Sequence, residues 1–466
     1  MKAEAQRARP RIALATLSET RDDFRAQREH LVREERAAIS WMREFAEVCE
    51  SNDITSVQAA GDFARSLDGL GAAALVIHIP IWSEPVFATR LSQLIPLPVA
   101  LLGNIRPDTS SLVGMLGAGG ALDQAGIAHL RIFDHSEAEA RLDMRAFVRA
   151  AYARRKLQGQ TLGLFGGRSL GIVTATADAA QWQRLFGIDI EQLDQSEIVN
   201  RAQLFSPAEV ARHREWLARS VGGVHFEGSF GPEALDRQVR SYLATRALAG
   251  ERGFDFVGVK CQPEMTDGYA SQCVAHMLLN GTADADGKKA PFVHACEADA
   301  DGALTMQILH LLSGAAPAAL LDVRWLDRAT GVWTLANCGA MPADFAATED
   351  DPTGLGHVQM VPHAFGSAGG GALPLVASPR PVTLARLCRK SGTYWMAVLK
   401  GEAQSRNQED LKSTTAAFPQ AFVRTEAGLD FLQEFGSNHI HMASGDLVRE
   451  LRAFCRLAGI ECREWR

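Results

Sequence analysis

The sequence predicts an α/β protein: two Rossmann-like α/β domains followed by a β-rich, barrel-like C-terminal domain. Two observations carry this prediction. Short continuous apolar runs alternate with charged stretches of helical character from residue 11 to residue 323, as buried parallel strands alternate with crossover helices. From about Ala340 glycines, prolines and short β-prone pieces take over, the texture of antiparallel strands.

Taken in order, residues 11–17 read as a strand, the charged stretch 21–50 as helical, 73–79 as a strand and 82–95 as a helix. Residues 98–102 return to strand, 112–126 to helix and 128–133 to strand, which completes an N-terminal α/β domain over 1–160. A second α/β domain, 161–345, starts with a strand at 161–164 and the tight turn GGRSLG at 166–171. It continues with strands at 186–191, 254–260, 292–296 and 319–323 and helices at 207–219, 271–279 and 304–313. In the third domain, 346–466, strands at 358–362, 373–377, 382–387 and 393–399 precede a last helix at 446–459.

Composition narrows the function. Of 466 residues, 47% are hydrophobic and 22% charged, an ordinary globular balance. Net charge is -7, from 48 basic and 55 acidic residues, which argues against general attraction to nucleic acid. The eight cysteines form no CxxC pair and no dense disulfide framework. The first residues lack the apolar stretch of a signal peptide, and the longest apolar runs are too short to span a bilayer. The expectation is a cytoplasmic protein without membrane or nucleic-acid partners.

Chemistry concentrates at strand ends, where open parallel sheets place their ligands. In CEADADGALT, residues 296–305, Glu297, Asp299 and Asp301 put three carboxylates within five residues. Such crowding demands compensation by water or a cation, and oxygen donors suit Mn²⁺ or Mg²⁺. Asp299 or Asp301 also suits the cap of the following helix, whereas Glu297 stands at the end of the strand. Asp322 closes the apolar run of LLDVR, next to Arg324. If its strand neighbours that of Glu297, roughly 5 Å away, both carboxylates reach one cation. In GSNHIHM, His439 and His441 share one face of a strand, beside Asn438. Lys260 and Glu264 follow another buried-type strand, where a fixed positive charge would stabilise an enediolate or orient a hydroxyl. Asn337, in NCG, lines the same mouth. The turn at 166–171 lacks the spacing of a phosphate-binding loop.

Together GGRSLG at 166–171, VKCQPE at 259–264, CEADADGALT at 296–305, LLDVR at 320–324, NCG at 337–339 and GSNHIHM at 436–442 resemble the L-fucose/L-arabinose isomerase superfamily, closer to its L-fucose isomerase branch. That resemblance implies a Mn²⁺-dependent sugar isomerase, an intramolecular oxidoreductase that interconverts aldoses and ketoses through a cis-enediol as a homotrimer or homohexamer. It implies Glu297 and Asp322 as both metal ligands and proton-transfer groups, and His439 as the third ligand, with His441 as the competing assignment. Lys260, Glu264, Arg324, Asn337, Asn438 and His441 are then candidates for substrate binding. The sequence is shorter than typical L-fucose isomerases, so the sugar itself stays open. The same enediolate chemistry serves a metal-dependent epimerase, lyase or decarboxylase on a modified or acid sugar. A non-catalytic sugar-binding regulator is the reading from a different class, and the paired carboxylates speak against it.

Overall fold

The computed structural model describes residues 9–406 and 418–465, which form two compact units. One comprises residues 9–155 with Arg452–Ala458; the other comprises Lys156–Leu451 with the residues after Ala458. Among the described residues no helix is long and apolar enough to cross a membrane, and all eight cysteines are free thiols.

In the first unit, β1 (Arg11–Thr16), β2 (Glu47–Glu50), β3 (Ala74–Ile79), β4 (Val99–Gly103) and β5 (His129–Ile132) form a parallel sheet of order β2-β1-β3-β4-β5. Every residue of β3 and β4 is buried, which is why they read as unbroken apolar runs. The charged stretch 21–50 does not stay helical. It divides into a helix at Asp22–Ala38, a short 3₁₀ turn at Ser40–Glu44 and the edge strand β2, whose exposed glutamates hide its pairing with β1.

The second unit holds, in chain order, β6 (Thr161–Phe165), β7 (Asp189–Leu193), β8 (Gly223–Val224), β9 (Phe256–Val259), β10 (Ala283–Asp284), β11 (Gly287–Lys288) and β12 (His294–Cys296). There follow β13 (Ala318–Asp327), β14 (Val332–Ala336), β15 (Gln359–Pro362), β16 (Gly371–Ala372), β17 (Arg380–Lys390), β18 (Thr393–Ala403), β19 (Gln420–Arg424), β20 (His439–Ser444) and β21 (Glu461–Trp465). A parallel sheet runs in the order β12-β9-β6-β7. A larger sheet runs β17-β20-β13-β14-β19-β18 through antiparallel pairings, and β18 pairs back onto β17 over Arg380–Lys390. These six strands therefore close into a barrel, and β21 adds in parallel to β18.

One expectation needs correction. β13, the strand of Asp322, is not a neighbour of β12; it belongs to the barrel, between β14 and β20. Its first four residues are as buried and apolar as a parallel strand, so the sequence does not reveal the partner.

The helix Ala300–Leu312 joins the two sheets. It packs on β9 and β12 of the parallel sheet and on β13, β17 and β20 of the barrel, and nearly all of its residues are buried. A helix enclosed on all sides has to be apolar or small all round, and ADGALTMQILHLL is close to that.

The parallel sheet is packed tightly at Gly163, in the middle of β6, where a Cβ would lie 2.2 Å from the Phe254 ring. Gly163→Val should lower stability by about 1–3 kcal/mol. Chemical denaturation should show it as a lower midpoint; an unchanged midpoint would contradict this packing.

Candidate active site

The chain leaves β12 through an unusual turn. Glu297 and Ala298 both adopt left-handed backbone conformations, with φ of 59° and 50°. Two successive non-glycine residues there are costly, and the turn is held by Ala298 N donating to Val259 O and Asp299 N donating to Cys296 O. Asp299 then caps the helix Ala300–Leu312, accepting from Gly302 N at 2.8 Å. A Cβ on Gly302 would stand 2.5 Å from Asp299 Oδ2 and 2.7 Å from His441 Nε2, so only glycine fits in this turn of the helix.

The barrel supplies the other half. Asp322 on β13 stands opposite His439 on β20 in the antiparallel register. His439 Nε2 lies 3.3 Å from Glu297 Oε2 and 3.6 Å from Asp322 Oδ1. Its Nδ1 is 2.7 Å from Asp299 Oδ2. Asp299 in turn accepts from both Nη atoms of Arg386 on β17, and Arg386 Nη2 also donates to Thr174 O at 2.7 Å. The side chains of Asp299, His439 and Arg386 are at most 1% exposed; Asp322 is more open, and its Oδ1 accepts from Asn438 Nδ2 at 3.3 Å.

Electrostatics follow from this arrangement. Burial works against a charged His439, but hydrogen bonds with Asp299 and Glu297 outweigh it and push the imidazole up to about 10. For Asp322, burial raises the carboxyl and the charge of Glu297 adds to it, against the pull of His439. Asp299 is held well below the usual carboxylate range because Arg386 and His439 overcome its burial. The imidazole is thus anchored at Nδ1 by a carboxylate and presents Nε2 to two further carboxylates. That is the arrangement in which an outer carboxylate orients a metal-ligating histidine, and the mixed oxygen and nitrogen donors could hold a hard divalent cation.

Glu297, Asp322 and His439 therefore come together, by a route other than adjacent strands. His441, on the same face of β20, is fully buried beside Gly302 and Arg386, and burial keeps its imidazole well below the ordinary range. Lys260 pairs with Glu264 at the end of β9, next to β12. Arg324 is exposed, its guanidinium 5.6 Å from the Phe418 ring centroid. The Asn337 side-chain oxygen accepts from Gly339 N and Ala340 N at 3.1 and 3.0 Å, which shapes the turn after β14. Sequence reasoning saw Asp299 only as a helix cap and missed Arg386, which lies 87 residues away with no local motif.

Residues 335–466 match the family model described as L-fucose isomerase, C-terminal domain. The chain is thus similar to L-fucose isomerase-like proteins, over its C-terminal part by the family model and more widely by its relatives. It is 23% identical over 432 residues to a sulfoquinovose isomerase of Clostridium sp. (strain MSTE9), covering 89% of this chain and 90% of the relative. It is 24% identical over 307 residues to an L-fucose isomerase of Salmonella heidelberg (strain SL476), covering 55% and 52%, and 23% identical over 316 residues to one of Escherichia coli O9:H4 (strain HS), covering 57% and 53%. The alignments with these L-fucose isomerases thus span about half of their length.

Two outcomes follow from the buried charges. Arg386→Met leaves Asp299 without its guanidinium partner and should cost about 3–5 kcal/mol in denaturant unfolding; a change below about 1 kcal/mol would show the pair to be dispensable. Asp301 accepts from Tyr394 Oη and Trp182 Nε1, and burial pushes its carboxyl from 3.8 up to about 6. The folded chain then holds a proton that the unfolded chain has lost between those values, so stability falls as pH rises through that window. Asp301→Asn should remove this fall, worth about 3 kcal/mol at most, when midpoints are compared at pH 4 and pH 7; an equal slope in both proteins would contradict it.

Proposed function

We propose that this chain is a metal-dependent sugar isomerase that moves a carbonyl between C1 and C2 of a small aldose and its ketose through a cis-enediol. The single observation that carries the reading is the imidazole of His439, held at Nδ1 by Asp299 and facing Glu297 and Asp322 with Nε2. Similarity to sulfoquinovose and L-fucose isomerases supports the same reaction class.

Glu297, Asp322 and His439 would hold Mn²⁺, with Mg²⁺ as the alternative. When bound, such a cation supplies a Lewis acid that polarises the carbonyl and compensates the negative charge of the enediolate. The remaining work falls to the protein. One carboxylate, assigned to Glu297, takes the proton from the carbon next to the carbonyl and returns it to the other carbon. Asp322, the more exposed of the two acids, shuttles the hydroxyl protons. Asp299 and Arg386 touch neither proton: they keep His439 in one orientation, so the donors need no rearrangement when substrate arrives. Lys260, Asn438 and the Lys260 partner Glu264 are the polar groups proposed to orient the sugar.

The test is exchange in D₂O with Mn²⁺, over a panel that includes L-fucose, sulfoquinovose and sugar acids, read by mass spectrometry and by NMR after the cation is removed. A new ketose carrying deuterium at C1, with deuterium at C2 of the aldose re-formed from it, is expected. An epimer, loss of CO₂ or release of a fragment would instead support a metal-dependent epimerase, decarboxylase or lyase. Binding of a sugar with no exchange would favour a sugar-binding regulator. Glu297→Gln and Asp322→Asn should each lower turnover by about 10²–10⁴-fold; turnover that survives both substitutions would sink the assignment.

A further inference from the structure

Glu297 has a second set of neighbours, of different chemistry. A Glu297 carboxylate oxygen, Cys296 Sγ and Cys338 Sγ lie within 4.8 Å of one another. The two sulfurs are 3.9 Å apart and belong to different sheets, Cys296 at the end of β12 and Cys338 two residues beyond β14. Cys296 is buried and Cys338 half-buried.

The surroundings hold this pair in place. Asn337 pins the turn that carries Cys338, through Gly339 N and Ala340 N. Gly339 has no room for a side chain, since a Cβ would meet Cys273 Sγ at 2.3 Å and His363 Nε2 at 2.9 Å. The His363 ring is itself fixed, with Nδ1 2.8 Å from Phe365 O, and its buried Nε2 is directed toward the Cys338 thiol. An imidazole nitrogen beside the Cys338 thiol adds to a donor set unlike that of Asp322 and His439.

The distances suit a thiophilic ion. Two sulfurs bound at about 2.3 Å to a tetrahedral Zn²⁺ are separated by about 3.8 Å, close to the spacing already present. Soft sulfur donors select Zn²⁺ or Cd²⁺ over Mn²⁺ or Mg²⁺, whereas Asp322 and His439 offer the harder set. We propose that Cys296, Cys338 and Glu297 form a second cation site, selective for Zn²⁺ and Cd²⁺, with His363 as a candidate for a fourth donor. Both sulfurs bind as thiolates and release their protons to solvent. Because Glu297 is shared, filling this site withdraws its carboxylate from the isomerase centre and inhibits turnover. The binding half of the proposal stands apart from the isomerase reading; the inhibition half rests on it.

X-ray absorption of the full-length protein with Mn²⁺ and one equivalent of Zn²⁺ tests the binding half without any substitution. Two sulfur neighbours at about 2.3 Å are expected; a shell of oxygen and nitrogen alone would overturn it. Titration with Cd²⁺ should give the ultraviolet charge-transfer band of cadmium–thiolate bonds in the unsubstituted protein and in Cys49→Ser. In Cys338→Ser or Cys338→Ala most of the band should vanish and Cd²⁺ affinity should fall at least about tenfold. A band of equal size in the Cys338 variants would overturn the assignment. For the inhibition half, the Cys338 variants should keep turnover and resist Cd²⁺ at least tenfold better than the unsubstituted protein. Equal sensitivity would overturn that half. If no sugar is turned over at all, the isomerase reading fails while the sulfur shell still decides the site.

Discussion

The carboxylate of Asp299 is the interaction on which the rest of the site depends. One buried side chain closes the first turn of the helix Ala300–Leu312, receives Arg386 from β17 and fixes Nδ1 of His439 on β20. A buried anion is tolerated only when it is paired and hydrogen-bonded, and here the pairing is complete. The arrangement also makes the barrel and the parallel sheet mutually dependent. Arg386 and His439 belong to the barrel, whereas Asp299 is presented by the turn after β12, so neither half holds its charges alone.

The same economy explains the turn that precedes Asp299. Strain at Glu297 and Ala298 is accepted because backbone bonds to β9 and β12 and the helix cap at Asp299 over-determine the path. The result is a glutamate delivered between an imidazole on one side chain contact and a pair of thiols on another. Glu297 thus stands where hard and soft donor sets meet.

Much of this was legible in the sequence. The parallel strands β3, β4, β6 and β9 are unbroken apolar runs bounded by turns, so local pattern alone identifies them. The glycine- and proline-rich texture after Ala340 announced antiparallel structure, and β17 and β18 form the long hairpin expected of it. The acids Glu297 and Asp322 stood out because they end apolar runs, which places them at strand ends, whereas His439 rested on its HxH pattern and on the family resemblance. What misled was the edge strand β2, where exposed glutamates mimic a helix, and the strand of Asp322, assigned to the wrong sheet.

The sequence by itself determined which segments become strands and helices and which polar residues stand at their ends, because periodicity and burial are local properties. Tertiary structure decided which of those ends meet. The closure of β17 onto β18, the place of β13 beside β20 rather than β12, and the convergence of Arg386, Asp299 and His439 all depend on pairings between residues far apart in the chain. Strand pairing is made by backbone groups that nearly all residues share, so the sequence carries little trace of the partner. The choice of His439 over His441 follows the same logic. Both share one face of β20, and only the fold shows that one meets the two carboxylates while the other rests against Gly302.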